Sequence, residues 1–210
     1  VSVGIISDSF DTDGETTGSV ADSPVDYADD IATGDLPPSN GPGEEGTPGV
    51  RVLEDLADGD PGSNPGAINT IDEGRAMAQL IHDVAPGAEL VFHTGFPGAS
   101  AMVTAIDTLA ADPFVDVIVD DLGFLLEPFY MDGQIAQAAD AAFAAGVPYL
   151  SSAGNSANRA YSSEFRPSGL TVTGNSVAHD FDPGPGVDVF QRIVVQPGES
   201  IAPILQWATP

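Results

Sequence analysis

Two residue types are missing from this 210-residue chain: cysteine and lysine. Without cysteine there is no disulfide framework and no thiolate zinc site. Without lysine, the basic side chains are five arginines set against 32 acidic residues, a net charge of −27. A chain so poor in cations offers no basic patch for nucleic acid or for an anionic membrane surface. No apolar run reaches the roughly 18 residues that a membrane-crossing helix needs. Neither an initiating Met nor a leader-like segment precedes the first apolar run, and nothing that reads as a closing element follows Ala208-Thr209-Pro210. The sequence is expected to be a piece of a longer chain.

What is present supports a folded core. Hydrophobic residues make up 42%, enough for one sizeable domain or for one domain and the beginning of another. The acidic excess repels itself and needs salt or bound cations to screen it. Adaptation to salty surroundings and neutralisation by Ca2+ are both open readings. Asp11-Thr12-Asp13-Gly14-Glu15 has the start of a calcium-loop pattern without its remainder, so a Ca2+ site and a plain turn both stand there.

The apolar segments alternate in kind. Short β-branched runs at 1–6, 50–53, 89–93, 115–119 and 147–150 read as buried strands, with a further one possible at 169–173. Between them lie segments with helical spacing. One is expected over 24–32, with Ser23 as cap and Pro24 in the first turn. Another covers 73–83, with Met77, Leu80, Ile81 and Val84 on its buried face and Pro86-Gly87 as its stop. Two more are expected over 101–111, capped by Ser100, and from the Asp132 cap to 145, ended by Gly146. Strand–helix alternation with continuously apolar strands predicts an α/β fold of three layers: a mostly parallel sheet with helices on both faces. The texture changes late in the chain. Residues 188–195 and 200–207 flank Gln196-Pro197-Gly198-Glu199 and predict an antiparallel hairpin. The expected division is an α/β domain over 1–178 and the beginning of a β-rich module over 179–210.

In an open α/β sheet, ligands bind outside the carboxyl ends of the strands. Three predicted strands run into polar clusters there: Asp8, Asp120-Asp121, and Ser151-Ser152 with Asn155. The 73–83 helix starts at the same edge with Asp72-Glu73-Gly74. Carboxyl groups that share a cleft push one pKa upward, and a Glu beside an ionised Asp is an arrangement suited to general-base work. Asn155 has a side-chain N–H to offer a developing oxyanion. Each residue also has a plainer reading. Glu73 is a first-turn acid favoured by the helix dipole, Asp72 an N-cap, Asp8 and Asn155 turn residues, and Asp120-Asp121 a solvated loop.

Taken in order, several segments resemble the subtilisin-like serine peptidases, within the wider group that includes the sedolisins. Val3-Gly4-Ile5-Ile6-Ser7-Asp8-Ser9 looks like the strand that carries the catalytic Asp. Asp72-Glu73-Gly74-Arg75-Ala76-Met77-Ala78, with Val84-Ala85-Pro86-Gly87-Ala88 after it, looks like the helix that carries the catalytic His. Residues 115–123 resemble the strand that flanks the substrate, and Ala145-Gly146-Val147-Pro148 through Ala153-Gly154-Asn155 the segment with the oxyanion Asn. The likeness covers residues 1–175. It implies a secreted endopeptidase acting on protein or peptide, with Asp8, Glu73 and Asn155 as catalytic residues and Asp121, Leu122 and Gly123 along the substrate. It assigns no metal to the catalytic residues.

Three departures accompany that likeness. The His position holds Glu73, as in the Ser–Glu–Asp arrangement of the sedolisins, whereas Asn155 follows the subtilisin pattern. Asp8 stands one residue later than the usual Asp, with Ser7 in its place, and a one-residue slip turns a strand side chain to the other face. The nucleophile motif Gly-Thr-Ser-hydrophobic-Ala-x-Pro does not occur. If the resemblance holds, the Ser is expected beyond Pro210. A non-catalytic surface or binding module on the same fold is the competing expectation. Among the histidines, His82 follows Glu73 by nine residues, about half a turn out of phase on a helix. His93 ends a strand, and His179 lies in a late loop.

Overall fold

In the computed structural model, which describes residues 1–11, 27–38, 49–56, 71–156 and 159–208, the chain divides into two compact units. The first comprises Val1–Gly154 with Gln206–Pro210, the second Asn155–Leu205. The first unit ends well before the expected boundary at 178. Its last strand is the fifth, and the strand after that pairs elsewhere.

β1 (Ser2–Ser7) is buried along its whole length. It lies in the middle of a five-stranded parallel sheet with β2 (Val50–Glu54), β3 (Glu89–Thr94), β4 (Val117–Asp120) and β5 (Tyr149–Ser151), in the order β2-β3-β1-β4-β5. Ser2 to Ser7 pair with Glu89 to Thr94 on one side, and Val3 to Ile6 with Val117 to Asp120 on the other. Alternation along β1 supplies two cores. Val3 and Ile5 join Phe10, Leu36, Val50, Leu90 and Phe92 on one face. Ile6 joins Val91, Met102, Ile106, Leu109 and Ile118 on the other. Helices cover both faces: α1 (Tyr27–Thr33) and α2 (Glu73–Val84) the first, α3 (Gly98–Ala111) and α4 (Gln134–Ala144) the second. The α/β expectation of a mostly parallel sheet between helical layers is met.

The strand order makes one crossover unusual. The steps β2 to β3, β3 to β4 and β4 to β5 all move the same way across the sheet. α3 and α4 cover one face, yet α2 covers the other. Two connections that move in one direction over opposite faces have opposite hands. β1 to β2 moves the other way over the α2 face, so its hand matches that of the α3 and α4 connections. Parallel crossovers are right-handed in about 98% of cases. The β2–α2–β3 unit is therefore the left-handed one. The connection leaving β1 passes over one face and those leaving β3 and β4 over the other, which puts the topological switch point at the carboxyl end of β1.

The helices differ in detail from their sequence patterns. α2 buries Gly74, Arg75 and Ala78, with Met77 and Ile81 packed beside them, while Leu80 and Val84 are 67% and 86% exposed. The buried stripe is centred on Ala78, and Leu80 stands about 200° round the helix from it. Ser100 does not cap α3, which begins two residues earlier at Gly98 with Pro97 as its N-cap. Asp132 does not cap α4. Its start is instead held by Glu127, whose Oε1 accepts the Ile135 N–H at 3.1 Å. At its far end Gly146, with φ +96°, donates to Phe143 O while Val147 donates to Ala142 O, which closes the helix in a Schellman turn. For the helix expected over 24–32, Ser23 and Pro24 lie outside the described residues.

In the second unit, β6 (Pro167–Thr171) and β7 (Val177–His179) form a two-stranded antiparallel sheet, so the run at 169–173 does not add to the parallel one. The hairpin expected over 188–195 and 200–207 is corrected. Its turn forms, with Gly198 at φ +90° and Glu199 N donating to Gln196 O at 3.0 Å, but its arms carry no strand pairing. Val194 and Leu205 are about four-fifths exposed, and two strands without a buried face do not hold together in water.

The docking of α2 depends on Gly74. A Cβ there would sit 2.2 Å from the Phe92 ring and 2.7 Å from Ser9 O. Gly74→Ala is expected to lower stability by roughly 1–3 kcal/mol in urea unfolding. Ala76→Gly, on the exposed face, should cost about 1 kcal/mol.

Candidate active site

The first turn of a helix leaves N–H groups without intrahelical acceptors. In α2 they are met from the end of β1. Asp8, 4% exposed, accepts the N–H of Ser9 (2.7 Å) and Glu73 (3.0 Å) on Oδ1 and that of Ile71 (2.8 Å) on Oδ2. Ser9 accepts the Asp72 N–H on its hydroxyl and the Gly74 N–H on its carbonyl, both at 3.0 Å. Four consecutive N–H groups, from Ile71 to Gly74, are thus fixed by two adjacent residues. Asp72 occupies the N-cap position with φ 52° and ψ 38°, but its side chain makes no capping bond. It turns instead to Arg75 Nη2 at 3.6 Å. Thr94 ties β3 to the same point by donating its hydroxyl to Asp8 O at 2.6 Å.

Arg75 and Asp55 complete the frame. The buried Arg75 guanidinium lies 3.0 Å from Asp11 and 3.4 Å from Asp30, besides Asp72. Asp55 accepts the N–H groups of Phe10, Asp11 and Leu56. Burial pushes the Asp55 carboxyl above its ordinary range, its backbone donors pull it back, and the Asp72 charge adds to the rise. Neither Arg75 nor Asp55 carries a motif; both act through contacts distant in sequence.

The Glu73 side chain is exposed at the mouth of α2. Facing it across the switch point is the end of β4. Asp121 is half-buried, and its carboxyl is pushed up to about 6. Burial is the main cause, and the charges of Glu73, Asp8 and Asp120 add to it. The Ser7 hydroxyl lies close enough to favour the ionised form, yet it closes no hydrogen bond of ordinary length, and both Ser7 Oγ and Asp121 Oδ1 are buried without a partner. Asp120 is buried beside Tyr149 and Ser151 and accepts the Leu122 N–H at 3.1 Å. Burial raises its carboxyl, and the neighbouring Tyr149 and Ser151 hydroxyls and that N–H oppose the rise. Burial, then Asp120, raises the Tyr149 phenol in turn.

No family model, curated protein or solved structure matches this chain.

Of the candidate residues, the first unit gathers Asp8, Glu73 and Asp121 at the carboxyl edge of its sheet. Leu122 is committed to the core against α3 and α4. It fits because Gly95 has no side chain, as a Cβ there would lie 2.5 Å from Leu122 Cδ1. Gly123 borders open space. Asn155 follows Gly154, whose φ is +71°, is exposed, and belongs to the second unit. No histidine joins the carboxyl group. His93 Nδ1 sits 2.7 Å from Thr94 O and Nε2 3.5 Å from Glu54. His179, in the second unit, accepts the Arg166 N–H on Nδ1 at 3.0 Å, which leaves the proton on Nε2, facing Ser163 Oγ at 3.2 Å. That tautomer is the wrong one to take a proton from Ser163. Among the described residues no three acidic or His side chains are set to hold a metal. Residues 12–15 of the candidate Ca2+ loop lie outside them, and Asp11 is paired with Arg75.

Two outcomes follow from this geometry. Asp8→Ala should cost roughly 1–3 kcal/mol for each N–H left buried without an acceptor, read as a large drop in the urea midpoint; an unchanged midpoint would contradict the pinning role. Folded Asp121 keeps its proton up to about pH 6, whereas the unfolded side chain loses it near pH ~3.9. Its stabilising contribution is complete below about pH 4 and lost as the pH rises through about 6. Asp121→Asn should therefore melt above the wild type near neutrality, and the gap should close on acidification.

Proposed function

We propose that this chain supplies the base-bearing part of a serine-type endopeptidase of the subtilisin-like kind, with Glu73 as the general base. The observation that carries the reading is the placing of Glu73. Its backbone N–H is locked by Asp8, its side chain is exposed, and the helix start lies at the switch point where an α/β sheet binds ligands. A base on a rigid helix start is held for proton transfer without cost at the moment of reaction. Glu73 takes the proton of an attacking Ser hydroxyl, and Asp8 positions the helix. The segment Asp121-Leu122-Gly123 borders an extended peptide substrate. Secretion and a protein or peptide substrate belong to this proposal. The Ser is not assigned among the 210 residues.

The competing reading is a non-catalytic binding module. It is favoured by one observation: both Asp8 oxygens are occupied by backbone N–H groups and none is turned to the Glu73 side chain. Casein hydrolysis by the native product that contains this chain separates the two. Glu73→Gln and Glu73→Ala are expected to lower kcat/KM by roughly 10²–10⁴-fold with the melting temperature unchanged, since the side chain is exposed. Hydrolysis that survives Glu73→Ala removes Glu73 from the mechanism. A wild type that binds peptide without cleaving it establishes the module.

A further inference from the structure

The chain leaves the first unit at Gly154 and returns to it at Gln206. From 191 to 208 every residue is exposed except Gln206. Its carboxamide is seated on the loop between β4 and α4. Nε2 donates to Leu125 O at 3.2 Å and to Glu127 O at 2.8 Å, and Oε1 accepts the Phe129 N–H at 2.7 Å. All three partners are main-chain groups, and together they engage both N–H bonds and the oxygen of the amide. Two carbonyls side by side reject a carboxylate, and the Phe129 N–H rejects an amide turned end for end. In a chain with 32 acidic residues, such a loop tells Gln from Glu.

The loop has braces of its own. The Glu127 N–H closes a turn on Phe124 O at 2.9 Å, and the Glu127 carboxylate receives the Ile135 N–H. The Phe124 ring packs against the α3–α4 core and lies 6.5 Å from the Phe96 ring. The receiving groups are therefore in place before a carboxamide arrives, which lowers the ordering cost of binding one. Around them Leu125, Leu126, Phe129 and Trp207 are each more than half exposed. They leave apolar surface for the residues on either side of a bound Gln.

We propose that the Leu125–Phe129 loop is a recognition site for a glutamine side chain carried between apolar residues in an extended peptide. Gln206 is the self-ligand that fills it until such a peptide displaces it. Exchange is easy because one side chain makes the contact and each hydrogen bond replaces one to water, for a small net gain. The ligand is defined by the main chain of the loop, so the site does not rest on the reading of Glu73 as a base.

The test is NMR of the ¹⁵N-labelled 210-residue chain, read at the Phe129 amide. Gln206→Ala empties the site, and the Phe129 N–H should exchange with solvent roughly tenfold faster than in the wild type. The blocked peptide Leu-Gln-Trp-Ala, which is the sequence of residues 205–208, should then shift that amide saturably and restore its protection. The same peptide with Glu or Asn in place of Gln should do neither. The wild type should bind the Gln peptide roughly tenfold more weakly than Gln206→Ala, because Gln206 competes. A Phe129 amide unmoved by the Gln peptide, or moved equally by the Glu peptide, overturns the proposal. Equal affinity in the wild type and Gln206→Ala overturns it too. In Gln206→Ala the Phe124 and Glu127 amides should keep their positions; a loop that comes apart there is held only by its tether, and the recognition site is then refuted. None of these outcomes needs hydrolysis, so the site can fail while Glu73 remains the base, and hydrolysis intact in Glu73→Ala overturns the peptidase reading alone.

Discussion

The four N–H groups from Ile71 to Gly74 and the two residues that receive them set the geometry of the carboxyl edge. A helix start is a fixed array of donors, and Asp8 and Ser9 are a fixed array of acceptors because β1 is hydrogen-bonded on both sides. Bringing the two together fixes where Glu73 leaves the backbone. It also draws β3 in through Thr94 and seats Gly74 on Phe92. A conventional N-cap side chain would have tied the helix only to itself. A cap delivered from the central strand ties it to the sheet, which matters for a crossover of the less favourable hand.

Charge is handled in three ways within one unit. Asp8 and Asp55 are each met by three backbone N–H groups. Asp11, Asp30 and Asp72 share one buried guanidinium. Asp121 has neither remedy. With 32 acidic residues and five arginines, cations are scarce, and backbone amides do much of the neutralising. Because those amides are fixed by the fold, the pattern of compensated and uncompensated carboxyls is fixed too. The uncompensated one stands where two main-chain directions diverge.

The parallel sheet was legible because its strands are buried on both faces and so read as unbroken apolar runs. α2 was legible from its period and its Pro-Gly stop, though not the stripe it buries, since Leu80 and Val84 recur at helical spacing with Met77 and Ile81 yet lie away from the buried Ala78. The hand of its crossover has no local signature. Only the order of strands reveals it. Asp8 was placed at the site by its position after β1, but its donors lie 63 and 65 residues away, beyond any pattern in the chain. Glu73 and Asp121 were named from strand and helix ends, whereas Ser7 read as a displaced position and gave no signal. The second unit was least legible. The turn at Gly198 depends on two residues and forms, while its arms depend on a packing partner that no sequence period specifies.

The central place of β1 bears on how the chain is made. The strand leaves the ribosome well before the neighbours it pairs with, Glu89–Thr94 and Val117–Asp120. At about 5–20 residues per second, both its edges stay open for several seconds, an apolar ribbon with unpaired amides on either side. Such a ribbon is a template for intermolecular pairing. The stretch that follows it in sequence is acidic and rich in Gly and Pro, and like charge of that kind opposes the pairing of such an edge with another copy.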